Sequence, residues 1–306
     1  MSARSTGIAG RIRGPVVPIN ICFNEDGSVD FPSVIRYVDW LCANGVPVLS
    51  MATGSSEFVS LTDDDIWELT SKIAEVNQGR SVYIAGTGHW KVNQCRQFLS
   101  HADAVGADAV RVQISPMYTS GGPEVYMRYF DQIEGASDIP LVLEDGAPPV
   151  SMGAELANRP NVVAAMIHDY EAYLDLTTAT VEEEFSTICA GRMRYMIYGH
   201  QAGSTAYQCG IAPVRPDIAL EFYKHIDARR YNDAWNMVYE YEDPWFDGIL
   251  GEGHDWIESL KTVIHLMGIY PNNRKCPPWP EVPSETFTAV RALAEKLFGP
   301  IERVAL

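Results

Sequence analysis

A chain of 306 residues that is 46% hydrophobic can bury a large core, either as two small domains or as one α/β barrel with additions. Its net charge of -17 repels phosphate backbones and anionic lipid, which sets aside nucleic-acid and membrane partners and favours a small-molecule protein. No apolar stretch approaches the roughly 20 residues that span a bilayer, residues 1–13 hold no apolar targeting core, and six cysteines lie scattered without CxxC or zinc spacing. Free thiols in the cytoplasm are expected.

Short apolar runs then alternate with amphipathic stretches. Val16-Val17-Pro18-Ile19 reads as a strand, and residues 32–43, with Val34, Ile35, Val38 and Leu41 at helical spacing and Gly45 behind them, read as a helix. The same alternation returns with 46–51 before 62–77 and with 82–85 before 92–105. Thr62 ahead of Asp63, Asp64 and Asp65 places a hydroxyl cap and negative charge where the helix start leaves N–H groups unpaired. Further runs at 109–114, 141–143, 162–166, 195–198 and 205–209 bring the strands to roughly eight, the number of a closed parallel barrel. Beyond Pro216 only helical patterns remain, at 217–229, 231–241, 255–267 and 284–298. The expected architecture is a (β/α)8 TIM barrel over residues 1–230 with a C-terminal helical annex, 231–306, packed on it.

Five stretches, in this order and spacing, carry a resemblance. They are Phe23-Asn24-Glu25-Asp26-Gly27-Ser28-Val29-Asp30-Phe31, Val38-Asp39-Trp40-Leu41-Cys42-Ala43-Asn44-Gly45-Val46, Ile84-Ala85-Gly86-Thr87-Gly88, Ala104-Val105-Gly106-Ala107-Asp108-Ala109-Val110 and Arg159-Pro160-Asn161-Val162-Val163. Through them the chain resembles the dihydrodipicolinate synthase / N-acetylneuraminate lyase family over nearly its whole length. The resemblance implies a 2-oxo acid held as an imine on a lysine at the end of strand six, with a tyrosine from strand five passing protons. This sequence departs from both, with Met166 at the lysine position and Glu144 at the tyrosine position. A Gly-Thr-Thr-Gly-Glu loop is replaced by Ala52-Thr53-Gly54-Ser55-Ser56-Glu57, and the arginine-bearing segment after strand five by Glu144-Asp145-Gly146-Ala147-Pro148-Pro149. Tyr118 is kept, and its counterpart reaches into a neighbour's site, so the resemblance implies a homo-oligomer, dimer or tetramer.

In such a barrel the working residues stand at the C-terminal ends of the strands. Those positions offer Ser55 and Ser56 after strand two, Tyr118 after four, Glu144 and Asp145 after five, His168 after six and His200 after seven. Alternation puts His168 on the same face as Met166, and Glu144 should also face inward. Glu144, His168 and Tyr118 are therefore the expected catalytic groups, and Ser55, Ser56, Asp145, His200 and Met166 the expected substrate contacts. The reading is a divergent lyase acting on a small oxo- or hydroxy-acid by acid/base chemistry, without a lysine imine and without a cofactor. Two others stand beside it. One is a retired barrel that binds a metabolite or partner; the other is a metal-assisted lyase holding a divalent ion on Glu144, Asp145, His168 and His200.

Overall fold

The structure is a computed structural model that describes residues 3–144 and 150–304. Eight parallel strands close into a barrel in chain order. They are β1 (Gly14–Pro18), β2 (Val48–Ser50), β3 (Val82–Gly86), β4 (Ala109–Val112), β5 (Leu141–Leu143), β6 (Val162–Ile167), β7 (Ser186–Gly191) and β8 (Ala206–Cys209). Both faces of each strand are covered, which is why the strands read as continuous apolar runs and not as alternating ones.

Helices α1 (Ala3–Arg11), α2 (Phe31–Ala43), α3 (Asp63–Asn77), α4 (Val92–Val105), α5 (Pro116–Thr119), α6 (Pro123–Ile133) and α7 (Val150–Ala157) accompany the first half. The second half carries α8 (Tyr170–Ala179), α9 (Met193–Ala202), α10 (Pro216–Asp227), α11 (Tyr231–Met237), α12 (Asp243–Phe246), α13 (Trp256–Leu266) and α14 (Ser284–Phe298). Thr62 caps the start of α3 as expected, and Asp65 makes the cap reciprocal by accepting the Thr62 amide. Ile8, Ala9 and Ile12 of the N-terminal segment join Val16, Val48, Val82, Ala109 and Ile188 inside the barrel, so α1 plugs its N-terminal end. Only the C-terminal end of the barrel is left for a ligand.

The seventh strand is not at 195–198. Those residues belong to α9, where Met193, Met196 and Ile197 are buried at helical spacing while Tyr198 is exposed. The strand is Ser186–Gly191, whose small residues give little apolar signal. His200 consequently falls in the last turn of α9.

Two buried carboxylates tie the later helices to the barrel mouth. Glu57, in the loop after β2, pairs with Lys261 of α13 and accepts the Cys276 amide at 3.1 Å. The Lys261 ammonium also donates to the Arg274 carbonyl at 2.9 Å and lies 4.7 Å from the Phe23 ring. Burial pushes the Lys261 pKa down and Glu57 opposes it, so the pair is held together by mutual need. Glu57→Ala is expected to destabilise the fold by roughly 3–5 kcal/mol in urea titration, because it strands a buried ammonium, and adding Lys261→Met should recover most of that loss.

Glu242 follows α11 and accepts the amides of Met193 and, at 3.1 Å, Arg194, so it caps α9 from another element. Burial raises its pKa to about 7, against the lowering effect of those amides and of Arg192. A carboxyl raised in the folded state favours folding below its ordinary value of 4.5 and loses that contribution as pH rises through 7. The stability difference between the wild type and Glu242→Gln should therefore move against the wild type from pH 5 to pH 8, by on the order of 3 kcal/mol. A flat difference across that window in paired chemical denaturations would contradict the burial effect.

Candidate active site

Inward-facing positions build the floor of the mouth. Val48, Ile84, Ala109, Val142, Ile188 and Ala206 fill the barrel interior, and the residues two further along their strands are Ser50, Gly86, Arg111, Glu144, Ala190 and Gln208. Arg111 of β4 dominates this layer. It is 1% exposed, and its Nη1 stands 2.7 Å from Glu144 Oε2 and 3.6 Å from Met166 Sδ.

Gly86 makes room for the backbone whose carbonyls that guanidinium binds. A Cβ there would lie 2.5 Å from the Met51 carbonyl oxygen and 2.7 Å from the Ala52 Cβ. Because Gly86 has no side chain, the chain after β2 crosses the barrel with Ala52 at φ 57, in the left-handed region. Its carbonyls then face inward: Arg111 Nη2 donates to the Ala52 oxygen and approaches the Met51 oxygen at 3.5 Å, while Gln113 donates to Ala52 as well. A fixed cation with one carboxylate partner and a planar fork of donors is thus held at the base of the mouth.

Several polar atoms at this level are buried and have no hydrogen-bond partner among the described residues. They are Arg111 Nε, the Ser50 hydroxyl, Gln208 Oε1 and, just past β1, Asn20 Oδ1. Orphaned polar groups clustered at one end of a barrel are where a polar ligand or water is accommodated. Beside Gln208, a cavity of about 150 Å³ opens between the ends of β1, β7 and β8 and the helices beyond Asp243.

The predicted residues divide into three groups. Glu144 and Met166 are brought together on Arg111. Ser55 lines the cavity beside Gln208, while the Ser56 hydroxyl donates to the Ile19 carbonyl at 2.6 Å and is spent on holding its own loop. His168 stands exposed at the end of β6, and Asp169 beside it caps α8 by accepting the Ala172 amide at 2.8 Å. Tyr118 is exposed on the short helix α5, its ring 5.9 Å from that of Tyr129.

His200 does not belong to the mouth. At the C-terminal end of α9, its Nδ1 is 3.1 Å from the Tyr231 hydroxyl, and burial pushes its pKa down. The misplaced seventh strand accounts for this correction. Asp145 lies outside the described residues. Among the described residues, no three of His, Cys, Asp or Glu converge as metal ligands, so the four-residue set drawn from the sequence is not assembled there.

Sequence reasoning missed Arg111. A signal existed: an arginine two residues after Ala109, inside a strand with no other polar side chain, must share the inward face of that alanine. Gln208 was missed in the same way, as a polar residue two past Ala206.

A model of the Dihydrodipicolinate synthetase family matches residues 11–297. An uncharacterized DapA-like lyase of Pyrococcus furiosus is 30% identical over 239 residues, which is 75% of this chain and 79% of that protein. Another from Pyrococcus abyssi is 25% identical over 73% of this chain and 78% of its own length. The match to the 4-hydroxy-tetrahydrodipicolinate synthase of Streptococcus gordonii, 30% identical, spans 46% of this chain and 47% of that enzyme.

Among solved structures, the dihydrodipicolinate synthase of Bacteroides thetaiotaomicron superposes with a TM-score of 0.84 at 16% identity, over 94% of this chain and 99% of that one. A dihydrodipicolinate synthase variant described as monomeric gives 0.81 at 18% identity, over 94% and 97%. These likenesses speak to the fold. Together with a family match that runs from the first strand to the last helix, they lead to one conclusion: the chain belongs to the dihydrodipicolinate synthetase family.

Proposed function

We propose that the protein is a lyase of this family that acts on a small oxo- or hydroxy-acid and forms no imine. The observation that carries the reading is the buried contact of Arg111 with both Glu144 and Met166. Imine formation requires a primary amine that can lose two N–H protons as the carbonyl oxygen leaves as water; a thioether has no such nitrogen and a delocalised guanidinium is not one, so neither group serves. What remains is a fixed positive charge, suited to a carboxylate or to oxygen anions that develop during reaction.

In the proposed step the Glu144 carboxylate takes a proton from the carbon beside the substrate carbonyl. The C–H electron pair forms the carbon–carbon double bond of an enolate, and the carbonyl π pair moves to oxygen, which Arg111 faces. Glu144 then returns the proton, or the enolate carbon bonds to a second carbonyl. His168 at the rim is the acid that meets that second oxygen, and Ser55 and Gln208 orient the substrate. Met166 supplies an apolar, polarizable wall. The exposure of Met117 (81%) and Tyr118 (36%) supports association with a second copy through this loop.

Burial of Arg111 at 1% exposure also favours the second reading, a barrel that binds an acid without turning it over. Proton NMR of candidate 2-oxo acids in deuterated buffer separates the two. The wild type is expected to exchange the C3 protons of a bound acid, and Glu144→Gln to slow that exchange by about 10²-fold or more while still binding. Undiminished exchange in Glu144→Gln would remove Glu144 from the mechanism, and binding without any exchange in the wild type would establish the retired barrel.

A further inference from the structure

Across from Arg111 and Glu144 the mouth turns apolar. In a closed eight-stranded barrel, β8 and its neighbours lie across from β4 and β5, so the cavity at the ends of β1, β7 and β8 is on the far side of the mouth from the charged pair. Its wall is made largely by Phe246, Leu250, Trp256, Leu260 and Pro213. The Phe246 and Trp256 rings are stacked, with centroids 4.5 Å apart at 27°. The Arg192 guanidinium sits 4.1 Å from the Phe246 centroid and helps fix that ring.

Gly210 lets these rings close directly onto the barrel. A Cβ on it would come within 2.7 Å of Trp256 and 3.0 Å of Phe246. Leu250 forms the outer lip and is 53% exposed, an apolar side chain left in water beside an apolar hollow. Polar groups are few and stand at the inner edge, where Ser55 and Gln208 face the space and Gln208 Oε1 has no partner among the described residues.

This distribution suits a molecule with two unlike ends. A polyhydroxylated chain placed here would give up its water for ring faces and leucine, with few hydrogen bonds in return. An aromatic group loses nothing by that exchange, and a cavity of about 150 Å³ matches the space known to take up a benzene-sized guest. We infer that the substrate is a 2-oxo or 2-hydroxy acid bearing an aromatic or similarly sized apolar group, which lies against Phe246, Trp256 and Leu250 while the acid end meets Arg111 and Glu144. The inference rests on the preceding reading of Arg111 and Glu144 as the acid-binding end.

Calorimetric titration with four acids tests it: pyruvate, phenylpyruvate, 2-oxo-4-phenylbutanoate and the polyhydroxylated 2-keto-3-deoxygluconate. At least one aryl acid should bind ten-fold or more tightly than pyruvate, and 2-keto-3-deoxygluconate no more tightly than pyruvate. Leu250→Glu, a change at a half-exposed position that leaves the core intact, should shrink the aryl preference to less than three-fold. Pyruvate binding with no aryl preference, a preference for the polyhydroxylated acid, or an aryl preference that survives Leu250→Glu would overturn the inference and leave the acid end standing. Failure of all four acids to bind would remove both readings together.

Discussion

A buried guanidinium needs a partner, and in this barrel the partner is Glu144. Arg111 is almost wholly withdrawn from water, and removing a charge from water carries a penalty of several kcal/mol unless it is paired and hydrogen-bonded. The surrounding residues follow from that requirement. Glu144 supplies the opposite charge, Ala52 and Met51 turn their carbonyls inward, and Gly86 is bare so that the crossing backbone can come close enough. Met166 packs against the guanidinium, and its Sδ accepts a weak hydrogen bond from Arg111 Nη1 at 3.6 Å. Where the resemblance leads one to expect an amine at the end of β6 and a phenol at the end of β5, this chain has Met166 and Glu144, and a buried cation stands on β4 as Arg111.

The residues that frame this centre are held by a second set of buried charges. Glu57 sits in the loop whose carbonyls cradle Arg111, and its pairing with Lys261 fastens that loop to α13. Glu242 caps α9 immediately after β7 and is anchored by Arg192, which packs on Phe246 of the cavity wall. The helices after α11 are therefore part of the mouth. They close one side of it with rings and hold the loop after β2 in place, so packing at the C-terminal end and geometry at the barrel centre are coupled through a few named contacts.

Much of this was legible in the sequence because a parallel barrel writes itself as repeated apolar runs followed by helical spacing. Seven of the eight strands fall where such runs occur, and Thr62 with Asp65 announces the start of α3. The seventh strand was hidden because its side chains are small and polar at the start, Ser186 and Thr187, whereas Tyr195-Met196-Ile197-Tyr198 offers a denser apolar run that is in fact a helix face. A strand at 195–198 would put His200 at the mouth, whereas it lies in the last turn of α9. Following the resemblance draws attention to Glu144 and Met166, but not to Arg111, because a run such as Ala109-Val110-Arg111-Val112 is read for its apolar members. The Glu57–Lys261 pair joins residues 204 apart in sequence, and no local pattern marks it.

The central claim is that no amine forms a covalent bond with substrate in this barrel. Borohydride reduction in the presence of excess pyruvate, followed by intact-protein mass spectrometry, addresses it without knowledge of the natural substrate. The wild-type mass should be unchanged, while Met166→Lys combined with Arg111→Met, which returns an amine to β6, should gain the mass of one reduced pyruvate adduct. A stoichiometric adduct on the wild-type protein would show that another amine does the work and would contradict the account.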